Sequence, residues 1–420
     1  MCDYFEGDDA LDKLQSAYKK FHSTNTALLN ITDDIYKSLD KSQITILILL
    51  DYSKAFDCAN HRLILMKLKS LGFHNEALAW IYSYLLDRKQ KVKTDLGTSK
   101  WVNIKNGVPQ GSILGPLLFL VLVSDLHKAI SNGNYHMYAD DTQTYYHCKV
   151  ANINSTITLI NQDLARIQEF SENNCLNLNT SKSNYIIIGS AHNLKKHNSM
   201  DIDPISINNK IIERKSCVKN LGVIFDETLS WNTNVNKLIA KAYFKLKQVS
   251  RFKNFLSKKS KITICETYVL SHFNHCDSVY INMAEFLKNK IQKVQNTCLR
   301  FIFCLKKYDH VSHCLVTLNS LNMDERRLLH GLTLFHKITK KLAPVYLCNR
   351  IKRHTDFHNY NTRNRNNIVI EHNTTAIRHK SFFPTFTKLY NSLVEELDLK
   401  NKSVVTFKSK LTKHLLNKRA

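Results

Sequence analysis

Near the start of the chain, apolar residues first recur at helical intervals and then form one continuous run. Leucine and isoleucine recur at intervals of three and four residues across residues 11–42, which predicts an amphipathic helix. Residues 44–50 follow as ITILILL, which is apolar apart from one threonine and rich in β-branched side chains. Such a run predicts a buried central strand that carries Asp51 at its end.

A second pattern brings two more carboxylates to a strand end. The stretch YHMYADDTQTYYH (135–147) predicts a β-hairpin with Asp140 and Asp141 in its turn region. Adjacent carboxylates repel each other in a water-poor setting, and a divalent metal is the usual compensation. If both strand ends meet at one sheet edge, these aspartates and Asp51 could hold two Mg²⁺ ions for in-line nucleotidyl transfer. The alternative is that Asp140 and Asp141 form only a polar turn.

The other elements follow from the same kind of pattern. The segment GVPQGSILGP (107–116) holds three of the ten glycines and two of the five prolines, which predicts a specially shaped loop. Beyond Trp231 the chain is basic and mainly helical. The remaining predictions are helices over 61–86, 117–126 and 153–170 and strands over 100–104, NYIIIG (184–189) and KNLGVIFD (219–226).

Charge is distributed unevenly along the chain. The net charge is +25, and residues 151–420 carry +24 of it. A basic surface of this size indicates a polyanionic partner, and nucleic acid is favoured over a membrane because no long apolar amphipathic anchor accompanies it. A charge excess that only keeps the protein in solution is the alternative.

The cysteines and the apolar runs indicate the cellular compartment. The 11 cysteines are scattered and include no Cys-x-x-Cys pair, which argues against a disulfide framework and predicts the cytosol or the nucleus. The longest apolar runs are far shorter than the roughly 20 residues of a membrane span, and the acidic N-terminus is unlike a signal peptide. His272, His275 and Cys276 suggest a zinc site, but no second ligand pair at zinc spacing accompanies them.

Five segments resemble, in order, motifs A to E of reverse transcriptases. The residues of these five motifs are similar to those of non-LTR, LINE-type retrotransposons of the jockey and CR1 kind. The resemblance is detailed from Gln15 to Trp231 and extends more loosely over the basic C-terminal part. The segments are LDYSKAFD (50–57), GVPQGSILGPLLF (107–119), YADD (138–141), LNTSKS (178–183) and LGVIFD (221–226).

The resemblance implies catalytic roles for individual residues. Asp51 and Asp140 correspond to the two principal metal ligands, and Asp141 is the second carboxylate of its motif. Phe56 matches the bulky position that excludes a 2′-hydroxyl, because an aromatic edge there leaves no room for the extra oxygen; a core aromatic is the alternative. Lys182 matches the motif D lysine, a candidate general acid for the pyrophosphate leaving group, and a solvated surface lysine is its alternative.

Two further segments are implied to contact the substrates. Gln110 and Gly111 resemble the loop that touches the incoming nucleotide and the template, where glycine allows close backbone approach; a simple helix-entry turn is the alternative. Leu221, Gly222 and Val223 resemble the hairpin that grips the primer end, although any packed β-turn could carry the same residues.

A basic helix is predicted after the fifth motif. Lys237, Lys241 and Lys245 recur at four-residue spacing and therefore share one face of a helix over residues 236–252. In the family's order this is a thumb helix that tracks phosphates through sequence-independent, salt-sensitive contacts. An ordinary solvated helix face is the alternative.

The implied fold is α+β, a right-hand polymerase palm with a mainly antiparallel sheet plus helices. The expected domains are partial fingers over 1–43, the palm with motifs A to E over 44–230, a thumb-like helical region over 231–310 and a basic helical C-terminal domain over 311–420. Family members carry further fingers strands before QSAYKKFHST (15–24) and often an endonuclease domain upstream, so we expect an N-terminally truncated open reading frame. Lys19 in this segment stands where relatives commonly have arginine, which keeps the charge but loses the bidentate fork that an arginine could offer to phosphate.

The implied function is that of an RNA-directed DNA polymerase of a non-LTR retrotransposon. Such an enzyme would extend a DNA 3′-hydroxyl, at a primer or target site, on an RNA template with dNTP substrates and two Mg²⁺ ions. We expect it in the cytoplasm and nucleus as a ribonucleoprotein, without a membrane partner. The alternative is a catalytically silent truncated remnant that only binds nucleic acid, and a metal-dependent activity would separate the two.

Overall fold

The computed structural model describes residues 11–357, 367–399 and 401–418. Their contacts divide them into two units. The first unit comprises residues 11–22, 44–187 and 193–215. The second unit comprises residues 23–43, 188–192 and the described residues from 216 onward.

The described residues form sixteen α-helices, and short 3₁₀ or π segments join some of them. In chain order the α-helices are α1 (Thr24–Asp40), α2 (Ala55–Cys58), α3 (His61–Ser70), α4 (Asn75–Leu85), α5 (Leu114–Leu122), α6 (Ile153–Asn173), α7 (Ala191–Asn198), α8 (Asn232–Ser250), α9 (Lys258–Ile264), α10 (Glu285–Phe303), α11 (Ser312–Thr317), α12 (Met323–Thr339), α13 (Val345–Cys348), α14 (Ala376–His379), α15 (Phe382–Glu396) and α16 (Val404–Asn417). The 3₁₀ segments are Leu126–Ala129, Val150–Asn152, Leu270–Phe273 and His354–Asp356, and Cys265–Val269 is a π-helical segment.

The same residues form thirteen strands, most of them short. They are β1 (Ile44–Leu50), β2 (Lys89–Gln90), β3 (Lys93–Thr94), β4 (Gly97–Thr98), β5 (Val102–Asn103), β6 (Asn134–Tyr138), β7 (Asp141–Cys148), β8 (Asn184–Ile188), β9 (Ser206–Ile207), β10 (Lys210–Ile211), β11 (Glu213–Arg214), β12 (Cys217–Asn220) and β13 (Val223–Asp226).

The central sheet has the strand order β11-β8-β1-β7-β6. Strand β7 runs antiparallel to both β1 and β6, whereas the short edge strand β11 runs parallel to β8. The expected α+β fold with a mainly antiparallel sheet is therefore confirmed. The register pairs Leu50 with Thr142, so Asp51 leaves β1 beside the residue at which β7 begins.

The core of the first unit lies between this sheet and α6. Alternate residues of β1 contribute to it, because successive strand side chains point to opposite faces. One stripe of α6 supplies the facing side chains, and each buried isoleucine or leucine contributes about 1.5–3 kcal/mol. The β1 residues are Ile44, Ile46, Ile48 and Leu50, and the α6 residues are Ile153, Ile157, Ile160, Leu164 and Ile167.

The predicted helix over residues 11–42 is wrong in its first part. Helix α1 begins at Thr24 with Ser23 as its N-cap, and residues 11–22 form no helix. Instead, the Ser16 N–H donates to the Met137 carbonyl at 2.9 Å, and the Met137 N–H donates to the Leu14 carbonyl at 3.0 Å. These hydrogen bonds to the edge of β6 satisfy the backbone groups that a helix over residues 11–22 would have needed for its own hydrogen bonds.

Two other boundaries differ from the sequence patterns. The segment KNLGVIFD spans the hairpin β12–β13 rather than one strand, because Leu221 and Gly222 both adopt positive φ angles and turn the chain. The helix expected over 117–126 is α5, which begins earlier, at Leu114, and ends at Leu122 before a 3₁₀ segment.

The second unit is built mainly from packed helices. Helix α8 contacts α10, α10 contacts α12, and α12 contacts both α15 and α16. Among the described residues, no helix combines the length and the apolar character that a membrane crossing requires.

Candidate active site

Asp51 follows the buried strand β1 and is fixed through its own backbone. Its N–H donates to Ser183 Oγ at 3.2 Å, and its carbonyl accepts from the Asn179 N–H at 2.8 Å. Its Oδ2 atom is buried and has no hydrogen-bond partner among the described residues. A buried carboxylate oxygen without a partner is costly, so this atom is suited to a ligand or an ion.

Asp140 and Asp141 lie at the tip of the β6–β7 hairpin. Tyr138 pairs with Asp141, which leaves Ala139 and Asp140 as a two-residue connection. Ala139 has a φ of +56°, a left-handed conformation that costs roughly 1–2 kcal/mol for a residue with a Cβ atom. The tight turn places Asp140 and Asp141 at the same sheet edge as Asp51.

The three carboxylates repel one another. Burial, together with the negative charges of Asp140 and Asp51, raises the pKa of Asp141 to about 6. Burial and the charge of Asp51 also raise the pKa of Asp140. No lysine or arginine of the described residues forms an ion pair with any of the three. This edge of the sheet therefore carries uncompensated negative charge.

The carboxylates do not form a closed metal shell. Within residues 11–357, 367–399 and 401–418, no group of three or more His, Cys, Asp or Glu side chains converges closely enough to hold a metal ion. The donor set still fits magnesium, which prefers carboxylate oxygens and keeps several waters as ligands. The Oδ2 atom of Asp51, which has no hydrogen-bond partner among the described residues, is available to such an ion.

Lys182 belongs to the loop that holds the Asp51 backbone. Its N–H lies 3.2 Å from both the carbonyl oxygen and the Oδ1 atom of Asn179, and Asn179 in turn donates to the Asp51 carbonyl. The Lys182 side chain is exposed, and its ammonium group forms no ion pair with any described residue. The structure thus brings this loop to Asp51 and leaves the lysine amine accessible.

Phe56 is half-buried on the short helix α2. Its ring stacks on Phe119 of α5 with a centroid distance of 4.2 Å and an interplanar angle of 23°. Phe119 is fully buried, so this contact fixes the Phe56 ring against a rigid helix. Phe56 therefore packs on the core and keeps part of its ring exposed.

The Gly/Pro loop, residues 107–116, contacts α2 closely through its backbone. The Gly107 N–H donates to the Ala59 carbonyl at 2.7 Å, and the Val108 N–H donates to the Phe56 carbonyl at 2.9 Å. A Cβ atom at Gly107 would lie 2.7 Å from the carbonyl oxygen of Asp57. Only glycine permits this approach, and its φ of +91° also favours glycine.

Gln110 and Gly111 occupy the tip of the same loop. Gln110 Nε2 donates to Asp57 Oδ1 at 2.9 Å, which orients the amide toward α2. Gly111 has a φ of +79°, and no atom lies within 4 Å of the position its Cβ would take. The backbone of Gly111 therefore borders open space, as a substrate-contacting loop requires.

Several residues at this site were not identified from the sequence. Gln15 contacts Ala139 from a segment far away in the chain, and its buried polar side chain gives no periodic signal. Asn179 and Ser183 lie near Lys182 in the chain and bond the Asp51 backbone, Asn179 through its own N–H and Ser183 through its Oγ, which a residue pattern does not reveal. Asp57 ends the motif LDYSKAFD (50–57), but its contact with Gln110 depends on the tertiary fold.

The hairpin β12–β13 of the second unit carries the predicted primer-grip residues. Leu221 and Gly222 form its turn, and Val223 begins β13 and is buried. His275 Nε2 donates to the Leu221 carbonyl at 3.2 Å, and a Cβ at Gly222 would lie 2.7 Å from that ring nitrogen. His275, which the sequence suggested as a zinc ligand, thus contacts the turn directly.

The predicted thumb lysines lie on α8. Lys237 and Lys241 are exposed, whereas Lys245 is half-buried with its ammonium group 3.9 Å from the ring centroid of Tyr268. Burial, together with the charges of Lys245 and Lys241, lowers the pKa of His272. This face of α8 therefore gathers positive charge beside an aromatic ring.

Comparison with known proteins gives the family. A family model for reverse transcriptase (RNA-dependent DNA polymerase) matches residues 5–225. The RNA-directed DNA polymerase from mobile element jockey of Drosophila melanogaster is 25% identical over 303 residues, which cover 70% of this chain and 32% of the relative. The probable RNA-directed DNA polymerase from transposon BS, also of Drosophila melanogaster, is 25% identical over 364 residues, covering 81% of this chain and 38% of the relative.

The chain spans about a third of the length of these curated relatives. Among solved structures, apo telomerase from Candida tropicalis gives a TM-score of 0.39 at 10% identity, covering 83% of this chain and 59% of that one. A TM-score this low does not bear on the fold. Reverse transcriptases generally use a divalent metal. Since the family model matches more than half of the sequence, the chain belongs to the reverse transcriptase family.

Proposed function

We propose that the chain is an RNA-directed DNA polymerase of a non-LTR retrotransposon, which extends a DNA 3′-hydroxyl on an RNA template. The observation that carries this proposal is that Asp51, Asp140 and Asp141 lie at the same sheet edge and form no ion pair with a lysine or arginine among the described residues. The names of the jockey and BS relatives supply the substrate class.

The three carboxylates are proposed as metal ligands. Asp51 and Asp140 would be the principal ligands of two Mg²⁺ ions, with Asp141 as the second carboxylate of its motif. When bound, the ions would lower the pKa of the attacking hydroxyl and stabilise negative charge on the leaving pyrophosphate. The hydrogen bonds that Ser183 and Asn179 make to the Asp51 backbone support a fixed position for the first ligand.

Other residues of the first unit would position the nucleotide and move a proton. Phe56, held by its stack on Phe119, would exclude a 2′-hydroxyl. Gln110 and Gly111 would border the incoming nucleotide and the template. Lys182, whose amine is accessible, would donate a proton to the departing pyrophosphate.

The second unit would bind the growing duplex. Leu221, Gly222 and Val223 would grip the primer end through the turn that His275 supports. The α8 lysines would contact phosphates in a salt-dependent way; the exposure of Lys237 and Lys241 supports this role.

The proposed partners are an RNA template, a DNA primer or target site and dNTPs. The +24 charge of residues 151–420 supports a nucleic-acid partner. A retrotransposon enzyme of this kind would act in the cytoplasm and nucleus as a ribonucleoprotein.

A second candidate is a catalytically silent protein that only binds nucleic acid. One observation favours it, because no group of three acidic or other ligating side chains among the described residues is close enough to hold a metal. Positive charge supports both candidates equally, so only activity distinguishes them.

Primer extension separates the two candidates. The purified chain is incubated with poly(rA)/oligo(dT), dTTP and Mg²⁺ beside its Asp140→Ala/Asp141→Ala variant, and RNA binding is measured for both. The polymerase proposal predicts extension by the wild type alone, with equal RNA binding. Absence of extension by the wild type, with RNA binding retained, would leave the silent binding protein as the function.

A further inference from the structure

A cavity of the second unit lies between the C-terminal parts of α8 and α10. It has a volume of about 500 Å³, which is within the range of small-molecule sites. Its wall comes from the last two turns of α8 with the chain that follows, and from the end of α10 with the loop beyond it. Leu246, which is 5% exposed, and Leu305 give this wall an apolar part.

Positive charge predominates in the wall of the cavity, which contains no aspartate or glutamate. Its four cationic side chains form no ion pair with a carboxylate of the described residues. Arg300 donates through Nε and Nη2 to the Asp309 carbonyl at 3.3 and 3.0 Å, which leaves its Nη1 without a partner in the same part of the chain. Cations gathered without a counter-ion attract an anion. The four are Lys247, Lys253, Arg300 and Lys307.

A buried ammonium group beside the cavity adds to this charge. Lys261 is 5% exposed, and its Nζ lies 3.2 Å from Sγ of Cys304, a residue of the cavity wall. Among the described residues this thiol is its one hydrogen-bond partner, and no carboxylate pairs with it. A buried charge without an opposite charge is costly, so an anion at this wall would be favourable.

The ends of the helices account for only part of this arrangement. Lys247 and Arg300 lie in the last turns of α8 and α10, where a cation offsets the partial negative charge of the helix C-terminus. Lys253 and Lys307 lie beyond those helices, so the helix ends do not explain them. Their position in the same wall indicates a ligand.

The cavity uses a different face of α8 from the predicted thumb lysines. Successive residues of a helix are rotated by about 100°, which puts Tyr243 and Lys247 roughly 120–160° around the axis from Lys241. A duplex that contacts the face of Lys237 and Lys241 would therefore not fill the cavity.

Aromatic side chains give the cavity a second kind of contact. Tyr243 is 39% exposed and Phe301 is half-buried, and both line the wall. An accessible aromatic face can stack a nucleic-acid base of any identity. Cations and an aromatic ring in one small cavity match a ligand that carries both phosphates and a base.

We infer that this cavity binds a nucleoside triphosphate, with its phosphates on the cations and its base against Tyr243. Three linked phosphates provide enough negative charge for several cations at once, whereas one phosphate does not. The small volume favours a compact ligand over a nucleic-acid strand. The inference goes beyond the proposed function, because the site lies outside the candidate active site and does not depend on polymerase activity.

Protection of Cys304 from alkylation measures occupancy of the cavity. Cys304 and Cys175 are the two exposed cysteines of the described residues, and Cys175 belongs to the first unit. The full chain is treated with N-ethylmaleimide at increasing ATP concentrations, and mass spectrometry gives the alkylation rate of each thiol. Mg²⁺ is omitted, because the wall offers a metal no carboxylate. ATP should slow alkylation of Cys304 about fivefold or more and leave Cys175 unchanged.

Two further probes separate the parts of the ligand. AMP keeps the base but has one phosphate, so its half-protecting concentration should be roughly tenfold higher than that of ATP. Ribose 5′-triphosphate lacks only the base and should protect about fivefold less well than ATP. Tyr243→Ala should remove this second difference, and Tyr243→Phe should retain it. Equal protection by AMP and ATP, or by ribose 5′-triphosphate and ATP, would overturn the assignment of a nucleoside triphosphate.

Loss of two exposed cations should weaken the site. Lys247→Gln/Lys307→Gln should raise the half-protecting ATP concentration roughly tenfold, with each variant compared with its own alkylation rate without ATP. The matched control is Lys195→Gln/Lys196→Gln, an equal loss of charge at exposed positions of α7, which should leave protection unchanged. Unchanged protection in the cavity variant, or an equal loss in the control, would overturn the inference.

The remaining outcomes distinguish this site from other ligands and from the candidate active site. Absence of Cys304 protection at millimolar ATP would overturn the inference. Protection by single-stranded RNA but not by ATP would make this face an RNA-binding surface instead. Protection should persist in Asp140→Ala/Asp141→Ala, and its loss there would place the nucleotide at the carboxylates. Because alkylation needs no primer extension, failure of the polymerase proposal would leave this result unaffected.

Discussion

The side chain of Gln15 makes two hydrogen bonds to the backbone of Ala139. Its Oε1 accepts from the Ala139 N–H at 2.9 Å, and its Nε2 donates to the Ala139 carbonyl at 3.3 Å. The glutamine is 3% exposed, and Ala139 adopts the left-handed conformation immediately before Asp140. Gln15 therefore holds the strained turn that positions the carboxylate pair.

Replacing Gln15 should impair synthesis more than binding. Gln15→Leu takes the side-chain partner from three buried backbone groups, the N–H and carbonyl of Ala139 and the N–H of Ala17, which should lower the free energy of unfolding by about 1–3 kcal/mol. Displacement of Asp140 should lower kcat for primer extension by roughly tenfold to a hundredfold, with KM for the template-primer unchanged. Gln168→Leu on α6, whose amide donates to Glu172 at 2.7 Å, is the control and should retain normal kcat. An unchanged kcat in Gln15→Leu would exclude a positioning role.

Two glycines of the Gly/Pro loop should respond differently to alanine. At Gly107 the new Cβ would lie 2.7 Å from the Asp57 carbonyl, whereas at Gly111 it would contact nothing within 4 Å. Both have positive φ, so both variants carry a strain of about 1 kcal/mol, and Gly107→Ala adds a steric displacement of α2. Urea unfolding should show Gly107→Ala to be the less stable variant by at least about 1 kcal/mol. Equal free energies of unfolding for the two variants would show that α2 can shift to accommodate the new Cβ at no energetic cost.

The second unit contains a buried aspartate whose charge should govern acid stability. Arg350 and Arg378 both form ion pairs with Asp33, and Lys37 lies 3.0 Å away. Burial alone would raise the pKa of Asp33, but the charges of Arg350 and Arg378 outweigh it and hold the pKa below its usual value. Asp33→Asn removes the buried carboxylate that the two arginines share. Arg350 keeps its ion pair with Asp34 and Arg378 keeps its ion pair with Glu371, so the loss should be about 3 kcal/mol at neutral pH.

The sign of the pH dependence follows from the lowered pKa. Asp33 contributes its full stabilisation above the unfolded-state pKa of about 3.9 and loses it as the pH falls through the lower folded-state value. Thermal unfolding should therefore show a constant difference between wild type and Asp33→Asn from neutral pH to about pH 4, and a narrowing difference below it. A difference that has already disappeared at about pH 6 would contradict the ion-pair assignment.

Phe56 should control the choice between deoxynucleotides and ribonucleotides. Phe56→Val shortens the side chain that stacks on Phe119 and opens space beside the sugar. Incorporation of rUTP relative to dTTP should then rise by about tenfold or more, while Phe56→Tyr should remain selective. The ratio of kcat/KM values for the two nucleotides is the measurement. Unchanged selectivity in Phe56→Val would leave the ring with a packing role alone.

The sequence patterns predicted the elements that depend on local composition. The apolar run before Asp51 and the alternating stretch around Asp140 correspond to β1 and to the β6–β7 hairpin. Strand β1 could be predicted because a strand that is buried on both faces needs apolar residues along its whole length, and the hairpin because its residues alternate around a turn. Their meeting at one edge followed from the family resemblance, and the β1–β7 register accounts for it.

The sequence patterns did not predict contacts between segments that are distant in the chain. Residues 11–22 have helical spacing, yet pairing of Ser16 with Met137 directs them along the edge of β6. Gln15 reaches Ala139 across 124 positions of the chain, and no periodic signal marks such a contact. Residues 100–104 were predicted as a short strand, but the pattern did not reveal that this strand, β5, pairs with β2 earlier in the chain.

The most direct test of the polymerase proposal is primer extension by the Asp51→Asn variant. This change keeps the size of the side chain and the backbone hydrogen bonds to Ser183 and Asn179, and it removes the charge that a metal requires. We predict that wild type extends oligo(dT) on poly(rA) with Mg²⁺, and that Asp51→Asn shows no extension while binding RNA as tightly as wild type. Extension by Asp51→Asn at the wild-type rate would contradict the metal assignment and the mechanism built on it.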